Sequence, residues 1–140
     1  INTIAKLGFG TGTDPATTLT ISDSAHDIVQ CYWYINDDIT VDAVKWWNSA
    51  DASAGDVVRG HLMSYAAVTL AGATSGDLSS GAVVASSSDI TNAGYEQSYW
   101  NSMTINSADV NAGRVILFFF RADSVNSDYT INATVKYHLR

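Results

Sequence analysis

Gly113-Arg-Val-Ile-Leu-Phe-Phe-Phe-Arg-Ala122 sets an unbroken run of large apolar side chains, at positions 115–120, between two arginines. The run is far shorter than the about 20 residues that a membrane-spanning helix needs. Its β-branched and aromatic makeup favours a strand. Successive side chains of a strand point to opposite faces. Val115, Leu117 and Phe119 therefore share one face, and Ile116, Phe118 and Phe120 share the other. A strand in a two-sheet sandwich ordinarily buries one face against the facing sheet. The expectation is that a second subunit covers the remaining face, with Ile116, Phe118, Phe120 and Trp46 as the assembly interface. Phe118→Asp, which buries an unpaired charge, would then dissociate the assembly.

Downstream, residues 128–138 alternate strictly. Tyr129, Ile131, Ala133, Val135 and Tyr137 fall on one side, and Thr130, Asn132, Thr134, Lys136 and His138 on the other. That is the pattern of a half-buried antiparallel strand. Upstream, residues 95–105 are mixed: Tyr95, Tyr99, Met103 and Ile105 lie on one side and Trp100 on the other. Residues 82–85 read as a short strand after a Ser/Gly/Thr loop at 72–81, and 57–70 as a long strand or strand pair. Asn36-Asp37-Asp38 reads as a hairpin turn that joins 26–35 to 39–47. In 39–47, strict alternation puts Ile39, Val41, Ala43 and Trp47 on one face, and Trp46 on the other beside Val44, Asp42 and Thr40. Shorter strands fit at 16–21, entered from the only proline, Pro15, and at 3–9. About eight strands with turn signals about every 8–12 residues predict an all-β chain. The architecture expected is a two-sheet antiparallel β-sandwich, jelly-roll or related Greek key. Residues 1–12 form an N-terminal strand or arm, and 13–140 a single sandwich domain.

Composition agrees. Of the 14 acidic residues only Glu96 is a glutamate, and only three lysines occur, at Lys6, Lys45 and Lys136. The usual solvent-face helix formers are therefore scarce. Asp, Ser, Thr, Asn and Gly, which build turns, take their place. A net charge of −7 without a basic cluster argues against nucleic acid as partner and disfavours anionic membranes. The lone Cys31 has no intrachain disulfide partner. No signal-peptide pattern is visible, and a chain that starts at Ile1 reads as a processed form or a fragment.

One corner recurs. Asn48-Ser-Ala-Asp-Ala-Ser-Ala-Gly-Asp-Val-Val58 matches Asn106-Ser-Ala-Asp-Val-Asn-Ala-Gly-Arg-Val-Ile116, and Asp89-Ile-Thr-Asn-Ala-Gly94 is a looser copy. The pattern predicts a capped turn, with Ser or Asp accepting from free N–H groups and Gly in the left-handed conformation. The match ends at the strand entry, so it is a reused corner rather than a repeat array. Ca²⁺ held by Asp51, Asp56 or Asp109 is the alternative, but no EF-hand-like spacing supports it, so no metal or other cofactor is expected.

No reaction chemistry is legible. His26, His61 and His138 sit in three separate strands, without zinc-site spacing, and read as partly exposed. The Gly8-Phe9-Gly10-Thr-Gly12 loop lacks the Lys-Ser/Thr that a phosphate loop needs. No G-x-S-x-G elbow exists, Cys31 sits mid-strand, and no carboxylate pair is singled out for glycoside hydrolysis. The chain is expected not to be an enzyme, and no catalytic residue is assigned. The aromatics are the better candidates for recognition. Trp46 and Trp47 are adjacent, so they cannot both face one core, and Trp100 opposes Tyr99. Trp46, Trp47, Trp100 and Tyr99 are the candidate ligand contacts. Subunit contact, sugar contact and cover of a sheet edge all remain open for them.

The C-terminal third, residues 86–139, contains the S-A-D-x-x-A-G corner, the apolar strand and the alternating final strand. This stretch resembles the ends of virion-surface proteins of tailed bacteriophages, marine ones especially: small jelly-roll domains of tail fibres, spikes or capsid decorations. The resemblance implies a non-enzymatic homotrimer on the virion surface, outside the cell. Its partners would be copies of itself and other virion proteins, with host surface glycans as a further contact. Two other readings stay open. One is a carbohydrate-binding or adhesin-like sandwich. The other is an extracellular filament subunit whose first strand completes a neighbour's sheet.

Overall fold

A computed structural model describes residues 4–9, 14, 15, 17–20, 27, 28, 33–51, 55, 57–66, 77–94, 97–122 and 128–140. Every regular element among them is a strand. The first four are β1 (Ile4–Phe9), β2 (Leu19–Thr20), β3 (Asp27–Ile28) and β4 (Trp33–Tyr34). Next come the long strands β5 (Ile39–Asp51), β6 (Val57–Ala66) and β7 (Asp77–Ser86). Then follow β8 (Ile90–Thr91), β9 (Gln97–Ser102), β10 (Thr104–Ile105) and β11 (Asp109–Val110). β12 (Arg114–Ala122) and β13 (Asp128–Leu139) close the chain. The larger sheet runs β10-β7-β6-β12-β1-β3, with β2 along β7, β4 along β12 and β8 along β6. The smaller runs β11-β5-β13, with β9 along β5. Pairing is antiparallel throughout except between β1 and β12, which are parallel. The chain is thus an all-β, two-sheet sandwich. Expectations that fall on His26, Cys31, Asp56, Tyr95 and residues 10–12, 21–24 and 67–76 lie outside the described residues.

Ile116, Phe118 and Phe120 of β12 pack with Val58 and Leu62 of β6 against Val41, Val44 and Trp46 of β5. The Trp46 indole sits 5.6 Å from the Phe118 ring and 6.0 Å from that of Phe120. Gly60 makes room for both: a Cβ there would lie 2.7 Å from Phe118 Cζ and 3.1 Å from Trp46 Cε2. The second face of β12 is also buried by its own chain. Val115, Leu117 and Phe119 form a separate core with Met63, Tyr65 and Leu78. Part of its margin comes from the start of the chain. Pro15 is buried, and the Gly81 N–H donates to the Thr17 carbonyl at 2.8 Å.

This corrects the assembly interface expected from sequence. Ile116, Phe118 and Trp46 are 0 % exposed and Phe120 4 %, so none presents a surface to another subunit. β12 is a central strand with β6 on one edge and β1 and β4 on the other. Being apolar on both faces is what a strand covered from both sides requires, and one chain is enough to do it.

Three local expectations also change. Asn36–Asp38 is not a hairpin turn, because β4 pairs with β12 in the larger sheet while β5 belongs to the smaller one. The segment crosses between sheets. It is pinned by Ile35 N–H to the Arg114 carbonyl (2.8 Å), Gly113 N–H to the Ile35 carbonyl (2.8 Å) and Ala112 N–H to Asp38 Oδ1 (2.7 Å). Residues 77–81, read as loop, open β7, where the ladders to β6 and β2 supply order that the small side chains do not. His61, read as partly exposed, is 0 % exposed.

The recurring corner does take the left-handed glycine: Gly55 has φ +96° and Gly113 φ +81°. Its cap differs from the expectation, since the Ala112 N–H is taken by Asp38, just before the neighbouring strand β5. Asp109 instead accepts from the Thr40 hydroxyl at 2.7 Å and lies 3.5 Å from the Arg140 guanidinium.

Candidate functional site

The site begins with one extra residue in β5. Tyr137 pairs with Val41 and Lys136 with Ala43, so Asp42 and Ala43 together oppose a single residue of β13. A bulge of this kind shifts the side-chain phase of everything after it. Beyond it Val44, Trp46 and Asn48 point inward, while Lys45 and Trp47 point outward. Strict alternation had assigned the two tryptophans the other way round. Trp46 therefore leaves the candidate ligand contacts, and Trp47 becomes half-buried on the open face. Inside, Trp46 Nε1 and the Asn48 side-chain amide have no hydrogen-bond partner, a cost of about 1–3 kcal/mol for each such group.

Three strands build the outer face of the smaller sheet. Trp47 pairs directly with Trp100 of β9 on one side and with Asn132 of β13 on the other. The next row is Ser102, Lys45 and Thr134, and the one after is Ala43 and Lys136. Directly paired side chains stand about 4.5–5.5 Å apart at Cβ, so the two indoles are immediate neighbours. Trp100 is 57 % exposed, a large apolar area left open to solvent. Ser102, Lys45, Asn132, Thr134 and Lys136 are all exposed. At the far end His138 Nδ1 lies 2.9 Å from Asp42 Oδ1.

Tyr99 does not join this face. It lies opposite Asn48 on the inner side of β9. Its hydroxyl donates to Asn92 Oδ1 at 2.6 Å and accepts from the Ala93 N–H at 3.0 Å. Asn92 Nδ2 in turn donates to the Gly94 carbonyl. Tyr99 thereby fastens the third corner and is withdrawn as a ligand contact. Of the four aromatic candidates, two come together and two turn inward.

Sequence reasoning missed Lys45, Lys136, Asn132, Thr134 and Ser102. The signal for the β13 residues was present, since the alternation already placed them outward. They are not joined to Trp47 there because strict alternation puts Trp47 on the face of Ile39 and Val41.

His61 is a buried titratable group of the larger sheet. Burial and the neighbouring Arg59 hold its pKa below the ordinary histidine value, while the Asp14 carboxylate, 3.2 Å from Nε2, pulls the opposite way. It lies on the larger sheet, opposite Phe119. Among the described residues no group of three or more His, Cys, Asp or Glu side chains is placed to hold a metal ion. No helix among them is long and apolar enough to cross a membrane.

No protein-family model matches the chain, and no curated protein or solved structure matches it.

Proposed function

We propose that the chain is a non-enzymatic surface domain that recognises glycans through the Trp47–Trp100 face of its smaller sheet. The observation that carries this reading is the exposed Trp100 set directly opposite Trp47 among exposed polar side chains, Ser102, Lys45, Asn132, Thr134 and Lys136. An indole offers a flat apolar surface for the C–H face of a sugar ring and keeps an N–H for a hydroxyl. Asn132, Thr134 and Ser102 add donors and acceptors beside it. A rigid sheet also spares the ordering cost that a loop would incur on binding.

The resemblance of residues 86–139 to phage virion-surface proteins supports a location on a virion, where contact with host surface glycans and other virion proteins would be its work. It also supports a homotrimer. Light scattering reads this directly: three chains of 15.0 kDa are expected, and a single-chain mass contradicts the trimer.

A glycan array probed with the native chain and with Trp100→Ala tests the main reading. The native chain is expected to give signals that Trp100→Ala loses while its unfolding midpoint stays close to native, because an exposed side chain contributes little to stability, typically within about 0.5 kcal/mol. No glycan signal, or one indifferent to Trp100→Ala, would overturn the reading.

A further inference from the structure

We infer that the glycan this face takes is an acidic polysaccharide whose sugar rings carry carboxylates. The inference rests on the glycan reading above and specifies its chemistry.

The argument starts from the cations. Arg59 lies 3.5 Å from Asp89 and donates through Nε to the Ser87 carbonyl at 3.1 Å. Arg114 donates to the carbonyls of Ser64 (2.8 Å) and Ser80 (2.7 Å). Arg140 lies 3.5 Å from Asp109 and donates to Asn111 Oδ1 at 2.6 Å. Arg121 is also partnered. Among the described residues, Lys45 and Lys136 are the exposed cationic side chains with neither an ion pair nor a hydrogen bond, and both lie on the face that carries Trp47 and Trp100. On a chain of net charge −7, this face therefore presents two unpaired positive charges on neighbouring rows.

The spacing suits a polymer. Lys45 is two residues from Trp47, about 6.6 Å along the strand, and the Lys136 row lies the same distance further on. Across the sheet, Trp100, Trp47 and Asn132 span about 10 Å, two strand spacings. Apolar platforms next to isolated point charges fit a ligand that alternates flat C–H faces with single negative charges. A carboxylate on each ring supplies that pattern. Lys offers a mobile point charge rather than the planar fork that favours phosphate-dense ligands. Single-stranded nucleic acid also combines stacking with charge, but its denser charge would meet only two lysines on an acidic protein.

The test is calorimetric titration of the full chain with hexamers of galacturonate, mannuronate and guluronate, with their methyl esters, and with a thymidine decamer. At least one acidic hexamer is expected to bind. Its methyl ester should bind at least fivefold more weakly, as should the acid to Lys45→Gln with Lys136→Gln. Lys45→Arg with Lys136→Arg should restore binding, which separates charge from any effect on folding. Trp100→Ala should bind none of them. If acid and ester bind equally, or the glutamine variants bind as the native chain does, the acidic class is wrong while the glycan reading stands. Equal or tighter binding of the thymidine decamer overturns the inference in favour of nucleic acid. If no hexamer binds but the array gives Trp100-dependent signals from neutral glycans, this inference alone falls.

Discussion

His61 shows what a single residue can hide. Its place on β6 is legible from alternation, but its burial depends on the start of the chain, where Asp14 comes within 3.2 Å of its ring. Contact between residues so far apart in sequence leaves no local signal. A consequence for pH follows. Burial first, and Arg59 second, depress the folded-state pKa below the unfolded value of about 6.5, with Asp14 partly offsetting them. The unfolded chain therefore binds more protons, and this histidine's contribution is present above pH about 6.5 and lost as pH falls through the folded value. Between pH 7 and 5 the native chain should lose stability relative to His61→Gln, by at most about 1.4 kcal/mol per pH unit. Urea unfolding at several pH values reads the difference. Parallel pH dependence of the two proteins would show that His61 is not buried in its neutral form. The glycines of the recurring corner were the opposite case: Gly55 and Gly113 adopt positive φ, as the N-S-A-D-x-x-A-G pattern requires of a residue without Cβ.

At the scale of elements, β12 and β5 set the limits of what pattern can tell. The apolar run at 115–120 announces a strand, and β13 announces both a strand and its faces. What covers the second face of β12 is a matter of topology: β12 sits between β6 and β1, and a second core closes over Val115, Leu117 and Phe119. Phe118→Asp should accordingly unfold the chain rather than release folded subunits, since it places an unpaired charge at a site with 0 % exposure. Circular dichroism with sedimentation separates the outcomes, and a folded, smaller species would restore the interface idea. β5 was misread by one residue. Alternation carries no mark of a bulge, and the extra residue at Asp42 reverses every side chain after it. That one step hid the site, because it exchanges Trp46 with Trp47.

At the scale of the molecule, two sheets divide the work. The larger sheet, with β12 at its centre, shares one apolar cluster with the smaller sheet and carries a second on its other face, while the smaller sheet turns a polar face with two adjacent tryptophans and two free lysines to solvent. All-β architecture was legible because the turn-rich composition and the period-2 strands point to it together. The candidate face was not, because it gathers residues of β5, β9 and β13 whose register depends on the bulge. Hydrogen exchange of the four tryptophan indole N–H groups, followed by ¹H–¹⁵N spectra without any ligand, measures that arrangement most directly. Trp100 should exchange first and Trp47 soon after, while Trp46 exchanges only through global unfolding. If Trp46 exchanged as fast as Trp100, or Trp47 as slowly as a core residue, the face proposed for recognition would not exist.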